Sequence, residues 1–287
     1  MTELEYKDVV EKVSKTLVRA GSSFSNDKYD IYSNYISKEC SENAKWVMNA
    51  IIENAKTAEE SQSPLCDDTG IPHLILEIGK NRALDGMLLE AIYQGIDSGL
   101  RKLPGRPMAI NGNDGERIDQ SGGLNELSEA VKPAPIMIKY VSDENVLRLT
   151  VMMLGGGPEI RAKTYRVFHK HSTDVFFDEI INWAKESVEQ LGCSPCTLAI
   201  GVGRSHYEAT SLMLQAMSEG RYDRQSDFER KITDRVNEYQ IGALGLGGSS
   251  TVLATFMKIG HQRASGVRIV CMRLCCCFEP RKATVSF

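Results

Sequence analysis

The sequence predicts an α/β protein of the α+β kind, a mixed sheet flanked by helices, on three observations. Apolar residues recur at helical spacing through the first sixty residues. Short apolar runs then follow at 73–79, 146–154 and 197–203, each bounded by turn residues. Helical stretches alternate with these runs through the rest of the chain, the order expected of a mixed sheet under helices. The chain has 287 residues, 42% of them hydrophobic, enough to bury a full core without disulfide staples. No clean linker divides it, so 1–287 reads as a single domain.

Taken in order, Trp46, Val47, Ala50, Ile51 and Ala55 give the early helical region one apolar stripe, which stops at Ser61-Gln62-Ser63-Pro64. A strand at 73–79 and a helix at 84–100 come next. From Pro104 to about Pro135 Gly, Asn, Asp and Pro dominate, and a loop this long in a compact domain is usually a functional lid or disordered. Strands at 135–141 and 146–154 follow, the second running straight into Gly155-Gly156-Gly157. The remainder reads as a helix at 174–190, a strand at 197–203, helices at 206–219 and 226–240, a glycine loop at 244–250, and strands near 251–258 and 266–274.

Composition excludes several classes of function. Lys and Arg total 34 against 38 Asp and Glu, a net charge of -4, which offers no electrostatic footprint for nucleic acid. No window approaches 18 uninterrupted apolar residues and the first ten residues are charged, so neither a membrane span nor secretion is expected. Eight cysteines scattered through a long chain suit a reducing cytoplasm, where they serve as core filler, redox groups or metal ligands.

The cysteines concentrate in three loops beside strands: 63–70 (SPLCDDTG), 192–196 (GCSPC) and 275–283 (CCCFEPRKA). None has the paired C-x-x-C spacing of a structural zinc site. Three single thiolates drawn from distant loops suit an iron–sulfur cluster instead. The competing physical reading is a cysteine used as a small buried hydrophobe. A non-catalytic iron–sulfur or zinc-binding interaction module is the alternative from another class of function.

Cys66-Asp67-Asp68-Thr69-Gly70 resembles the C-Q-D-T-G loop of the class I iron–sulfur fumarases and the α subunits of L(+)-tartrate dehydratase. The resemblance continues through Arg106, placed as the family's substrate arginine is, through Gly155-Gly156-Gly157, and through Cys193-Ser194-Pro195, similar to C-P-P ahead of a strand. Gly242 to Gly248 resembles G-P-Q-G-x-G-G with two positions changed. Residues Cys277 to Ala283 fit C-x-x-x-R-[RK]-x. These anchors fall in the family's order over nearly the whole chain.

The resemblance implies a class I fumarase α-type catalytic domain in which Cys66, Cys193 and Cys277 bind a [4Fe–4S] cluster. Three ligands on four irons leave one iron open as a Lewis acid for a substrate oxygen. The implied reaction adds or eliminates water on a small dicarboxylate, fumarate/malate first, with L(+)-tartrate or a related hydroxy acid as the alternative. Asp68 would exchange a proton with the hydroxyl, although an Asp so placed also makes Asx turns and helix caps. Arg106 would hold a substrate carboxylate with its planar fork. The backbone N–H groups of Gly155 and Gly156 could approach the same carboxylate, or the glycines could simply make a tight turn.

Asp67 stands where the family has a substrate-contacting glutamine, and a charged Asp67 would repel a dianion unless protonated or paired. Pro158 and Gly242-Ala243-Leu244-Gly245 are further departures. His261 lies one residue from the family's active-site histidine register and is carried as a candidate catalytic residue. Spacing to Arg281-Lys282-Ala283 selects Cys277 as third ligand, while Cys275 would share its face in an extended chain. The family's remaining catalytic groups lie on a β domain. Only four residues follow Ala283, so a separate β subunit, and with it a heterotetramer, is expected.

Overall fold

The computed structural model describes residues 2–106 and 108–287. Thr2 starts the first helix, α1 (Glu3–Ser22), through a capping box: its hydroxyl accepts from the Glu5 N–H while the Glu5 carboxylate accepts from the Thr2 N–H. Helices α2 (Asn26–Lys38) and α3 (Glu42–Ser61) complete the helical first sixty residues. On α3 the buried stripe is Ala44, Val47, Met48, Ile51, Ala55 and Ala58. Trp46, expected on it, is 71% exposed, and Ala50, one turn on and also expected there, is exposed too. Trp46 stands two residues, about 200°, around the helix from Ala44 and so faces the other way.

The chain continues through β1 (Ile71–Ile78), α4 (Gly86–Lys102), α5 (Asp114–Asp119), β2 (Met137–Tyr140), β3 (Leu147–Leu154) and the single turn α6 (Gly156–Glu159). The expected loop after Pro104 thus carries a short helix, capped by Asn113 in a second capping box. Then come β4 (Lys163–Phe168), α7 (Thr173–Leu191), β5 (Cys196–Gly203), α8 (His206–Glu219), α9 (Asp227–Asn237), β6 (Val252–Ile259), β7 (Val267–Cys275) and β8 (Arg281–Ser286). Strands β4 and β8 have no counterpart in the reading of the sequence. Among the described residues no helix is long and apolar enough to cross a membrane.

The mixed α/β class holds, but the strands form two mixed sheets rather than one, in two compact units that are each discontinuous in sequence. The first unit comprises the chain to Ser23, Ala55–Gly155 and Arg281–Phe287. Its sheet runs β2-β1-β3-β8, with β1 parallel to β2 and antiparallel to β3 from Ile71↔Leu154 to Ile78↔Leu147. Helix α1 packs on α4 and over β3 and β8. Val13, Leu17, Ile92 and Ile96 meet Leu74, Leu76, Leu149 and Val151 in its core.

The second unit comprises Phe24–Asn54 and Gly156–Pro280, with a sheet ordered β4-β7-β5-β6. Strand β5 is parallel to β6 and antiparallel to β7. Its core joins Ile180, Ile181 and Ala184 of α7 to Leu198, Ile200, Met272 and Leu274. Helix α8 lies against β5, β6 and β7. A Cβ on Gly201 of β5 would come within 2.0 Å of the Ala209 carbonyl oxygen on α8, so only glycine permits this approach.

Candidate functional site

In the first unit, the segment after α3 is anchored by Leu65, whose N–H donates to the Gly21 carbonyl and whose side chain is buried. Cys66 and Asp67 follow in a bend, Cys66 half-buried and Asp67 exposed. The Cys66 thiol donates to the Asp67 carboxylate at 3.2 Å, and the other carboxylate oxygen of Asp67 lies 3.3 Å from the Arg106 guanidinium. The bond from Cys66, the Arg106 charge and the Asp68 N–H together hold the Asp67 carboxyl below its ordinary range. Asp67 is therefore ionised and paired, one of the two conditions under which it need not repel a dianionic ligand.

Asp68 occupies a corner organised by Arg281, the first residue of β8. The buried Arg281 guanidinium donates through Nη1 to the Asp68 carbonyl oxygen at 2.6 Å and through Nε to the Met153 carbonyl oxygen at 3.0 Å. The Asp68 carboxylate lies over Gly155, where a Cβ would stand 2.6 Å from Oδ2. Glycine at 155 thus makes room for a carboxylate. Beside it, the Thr69 hydroxyl is buried with no hydrogen-bond partner among the described residues, which is unusual for a polar side chain in a native interior.

In the second unit, the cysteine loops meet at one end of the sheet. Strand β7 ends in the core: Cys275 pairs in register with Thr197, is fully buried, and has its sulfur 3.3 Å from the Met217 sulfur. Burial pushes the Cys275 thiol up to about 12. The chain then turns, and the Cys277 N–H donates to the Cys193 carbonyl oxygen at 2.9 Å. Cys193 is exposed, just past the α7 C-cap Gly192. A hydrogen bond with Cys276 and burial together hold the Cys277 thiol well above its ordinary value. Cys196 and Cys271 are core residues, Cys40 is exposed, and all eight cysteines are free thiols.

The glycine loop joins the same end. The Ser194 hydroxyl donates to the Gly242 carbonyl oxygen at 2.6 Å, and the Leu244 N–H donates back to the Ser194 carbonyl oxygen at 3.0 Å. Glu39, at the end of α2, grips the far side of that loop, accepting from the N–H and hydroxyl groups of both Ser249 and Ser250.

Two side chains one turn apart on α2 complete the arrangement, and nothing in the motif pattern singled them out. Tyr32 donates to the Cys277 carbonyl oxygen and Lys28 to the Glu279 carbonyl oxygen, both at 2.8 Å. Both are fully buried. Burial pushes the Lys28 ammonium down to about 8 against the pull of Cys276, Cys277, Cys275 and Glu279. The one available signal was their i, i+4 spacing, which puts a lysine and a tyrosine on one helix face.

His261 is not brought to this end. It is exposed in the loop after β6, beside Glu208. Register pairs Cys196 with Val252 near the cysteine loops and Val202 with Ile259 near His261, and six strand steps separate them by roughly 20 Å. Gln262, its neighbour, donates to the carbonyl oxygens of Val202 and Gly260. The candidate catalytic histidine therefore stands at the opposite end of the sheet from Cys193 and Cys277. Gly156 opens the α6 turn, where its carbonyl accepts from the Ile160 N–H. Among the described residues no three His, Cys, Asp or Glu side chains converge as ligands of a single metal ion.

The fold and these loops define an α/β protein with an acidic, arginine-bearing corner on one sheet and paired cysteine loops on another. A family model for fumarate hydratase (Fumerase) matches residues 10–286. The chain belongs to the fumarate hydratase family and is a hydro-lyase. A relative from Methanocaldococcus jannaschii, provisionally named L(+)-tartrate dehydratase subunit alpha, is 30% identical over 260 residues, 86% of each chain. The L(+)-tartrate dehydratase subunit alpha of Escherichia coli K12 is 20% identical over 282 residues, 94% of this chain and 89% of the relative.

Proposed function

We propose that this chain is the alpha subunit of a [4Fe–4S]-dependent hydro-lyase acting on a small hydroxy dicarboxylate, residues 1–287 serving as one catalytic domain. The observation that carries this reading is the Cys277 N–H bond to the Cys193 carbonyl, which couples two candidate ligand loops far apart in sequence. Donor chemistry supports it further: Cys66, Cys193 and Cys277 are all free thiols, and thiolates are the ligands such clusters take. A cubane takes one thiolate per iron, so its ligands need not converge on one point. The unpartnered Thr69 hydroxyl and the carboxylate berth over Gly155 beside Cys66 fit a loop that receives a polar ligand.

When bound, the cluster supplies a Lewis-acidic iron for a substrate oxygen. Asp68, steered by Arg281 and Gly155, is the group proposed to give a proton to the departing hydroxyl or take one from the arriving water. Arg106 binds a substrate carboxylate while Asp67 fixes the guanidinium, and the N–H groups of Gly155 and Gly156 are offered to the same carboxylate. His261, at the far end of its sheet, is left out.

The relatives' names favour L(+)-tartrate over fumarate or malate. Chemistry points the same way. The Asp67 carboxylate, paired with Arg106, can accept a hydrogen bond from a hydroxyl, and tartrate has a hydroxyl on both central carbons where malate has one. The alpha-subunit names of these relatives also support a separate beta subunit, with which the chain is proposed to form a heterotetramer. Eight free thiols suit the cytoplasm. The test is anaerobic reconstitution with iron and sulfide, addition of a co-expressed beta subunit, and assay with tartrate, malate and fumarate. Faster turnover of tartrate is expected. A reconstituted complex inert toward all three overturns the reading.

A further inference from the structure

Helix α2 carries a buried charge that the proposed reaction does not employ. Lys28 is 1% exposed, and its Nζ donates to the Glu279 carbonyl oxygen and lies 4.2 Å from the centre of the Phe24 ring. Among the described residues no carboxylate is within ion-pair distance of it. The carboxylate of Glu279, on the same turn, is engaged by Arg273 in a fully buried pair. Taking an ammonium out of water is costly unless an anion or a full set of acceptors meets it. One carbonyl and one ring face leave much of that cost unmet.

The Lys28 ammonium reaches this turn at the Glu279 carbonyl, two residues past Cys277. The lysine is also held rigidly, because Tyr32 one turn on donates to the Cys277 carbonyl, so two side chains of one helix face clamp the turn from Cys277 to Glu279. This is a fixed positive charge aimed at a cysteine turn, with no fixed negative charge of its own.

We propose that Lys28 is the counter-charge of the iron–sulfur group, a positioning residue that holds the Cys277 turn and raises the reduction potential of the cluster bound there. The inference rests on the iron–sulfur reading given above. A ligating cysteine is a thiolate, so three of them on a doubly positive cubane make the whole group anionic, and each electron added makes it more so. A positive charge beside it favours every reduced level over the oxidised one. Nearby charge and hydrogen bonding are among the levers by which proteins set such potentials. In a hydro-lyase, which needs no redox change, this charge keeps the cluster from being oxidised rather than driving electron transfer.

The test compares the full-length chain with Lys28→Gln and Lys28→Arg, each reconstituted anaerobically with ferrous iron and sulfide. Gln keeps a donor for the Glu279 carbonyl and removes the charge; Arg keeps the charge. Iron and sulfide content are measured first, and the one-electron potential is then taken by redox titration followed by electron paramagnetic resonance. Lys28→Gln is expected to match the wild type in content but to shift the one-electron equilibrium at least tenfold toward the oxidised form, a potential about 59 mV more negative. Lys28→Arg is expected to restore the wild-type value. A folded Lys28→Gln chain that takes up no cluster, with uptake restored in Lys28→Arg, also supports the role of charge. Equal potentials in wild type and Lys28→Gln, or loss of the cluster in both variants, overturn the proposal and leave Lys28 a packing residue. A wild-type chain that binds no cluster removes the iron–sulfur reading itself, and the proposal with it.

Discussion

Arg281 shows how one buried guanidinium organises the corner that holds Asp68. Its two backbone bonds fix the Asp68 carbonyl and the end of β3 together, and the carboxylate of Asp68 lies over Gly155. If Asp68 handles the proton, Asp68→Asn keeps the fold and its metal content but loses turnover by roughly a hundredfold or more, the usual contribution of a positioned acid or base. Near-normal kcat in that variant would move the proton donor elsewhere. Arg106→Lys should act mainly on KM, raising it about tenfold to a hundredfold, because a planar fork to a carboxylate is replaced by a point charge. Steady-state kinetics on the two variants separates these roles.

Glu39 gives a pH signature of the fold. Burial alone would raise its carboxyl, yet hydrogen bonds from Ser250, Ser41 and Ser249 outweigh burial and leave it lowered from 4.5 to about 2. A depressed carboxyl stabilises the folded chain above its unfolded value, and that stabilisation is lost as pH falls from about 4.5 through about 2. It is worth about 3 kcal/mol at neutral pH. Urea midpoints of wild type and Glu39→Gln should differ most above pH 5 and converge toward pH 2; a gap independent of pH contradicts this. At this scale the sequence made Cys66, Asp68 and Cys277 visible through short local patterns. Lys28 and Tyr32 were not visible, because their meaning depends on a turn some 250 positions away, a distance no local periodicity reports.

Among the elements, the long helices and six of the strands were legible to within a few residues because each carries its period in apolar side chains, whereas the short α5 and α6 were not. Strands β4 and β8 were not. Both are edge strands, and their inward faces carry little apolar surface: Val167 is the fully buried residue of β4, while β8 buries Arg281 and Ala283. A strand buried on one side and bounded by charge lacks the run that marks a central strand. The stripe on α3 was drawn one face too wide at Trp46 and Ala50 for a related reason, since apolar residues were counted without their phase. Close packing supplies the test at this scale. Gly201→Ala forces a Cβ against the Ala209 carbonyl and should lower stability by about 1–3 kcal/mol. Thermal melts report it, and an unchanged melting temperature would show that α8 can move away from β5 freely.

For the whole molecule, the candidate ligands divide between the two units, Cys66 in the first and Cys193 and Cys277 in the second. The chain leaves and re-enters each unit, so Cys193 and Cys277, far apart in sequence, belong to the same one. The two-subunit reading predicts that the reconstituted chain alone shows no measurable hydration or dehydration. Co-purification with a beta subunit should bring activity to ordinary enzyme rates, roughly 1–1000 per second. Turnover at such rates by this chain alone would show that it holds every catalytic group.

The central claim is that Cys66, Cys193 and Cys277 hold a [4Fe–4S] cluster, and that their neighbours in sequence do not. Iron and acid-labile sulfide content after anaerobic reconstitution, measured on wild type, Cys66→Ser, Cys193→Ser, Cys277→Ser and Cys275→Ser, tests it most directly. Serine is a poor substitute for a thiolate on iron–sulfide, whereas at 275 it replaces a thiol packed in the core. The account predicts about four irons and four sulfides per chain in wild type and in Cys275→Ser, and loss of stable binding in the other three. Full content in any of those three, or loss confined to Cys275→Ser, would contradict it.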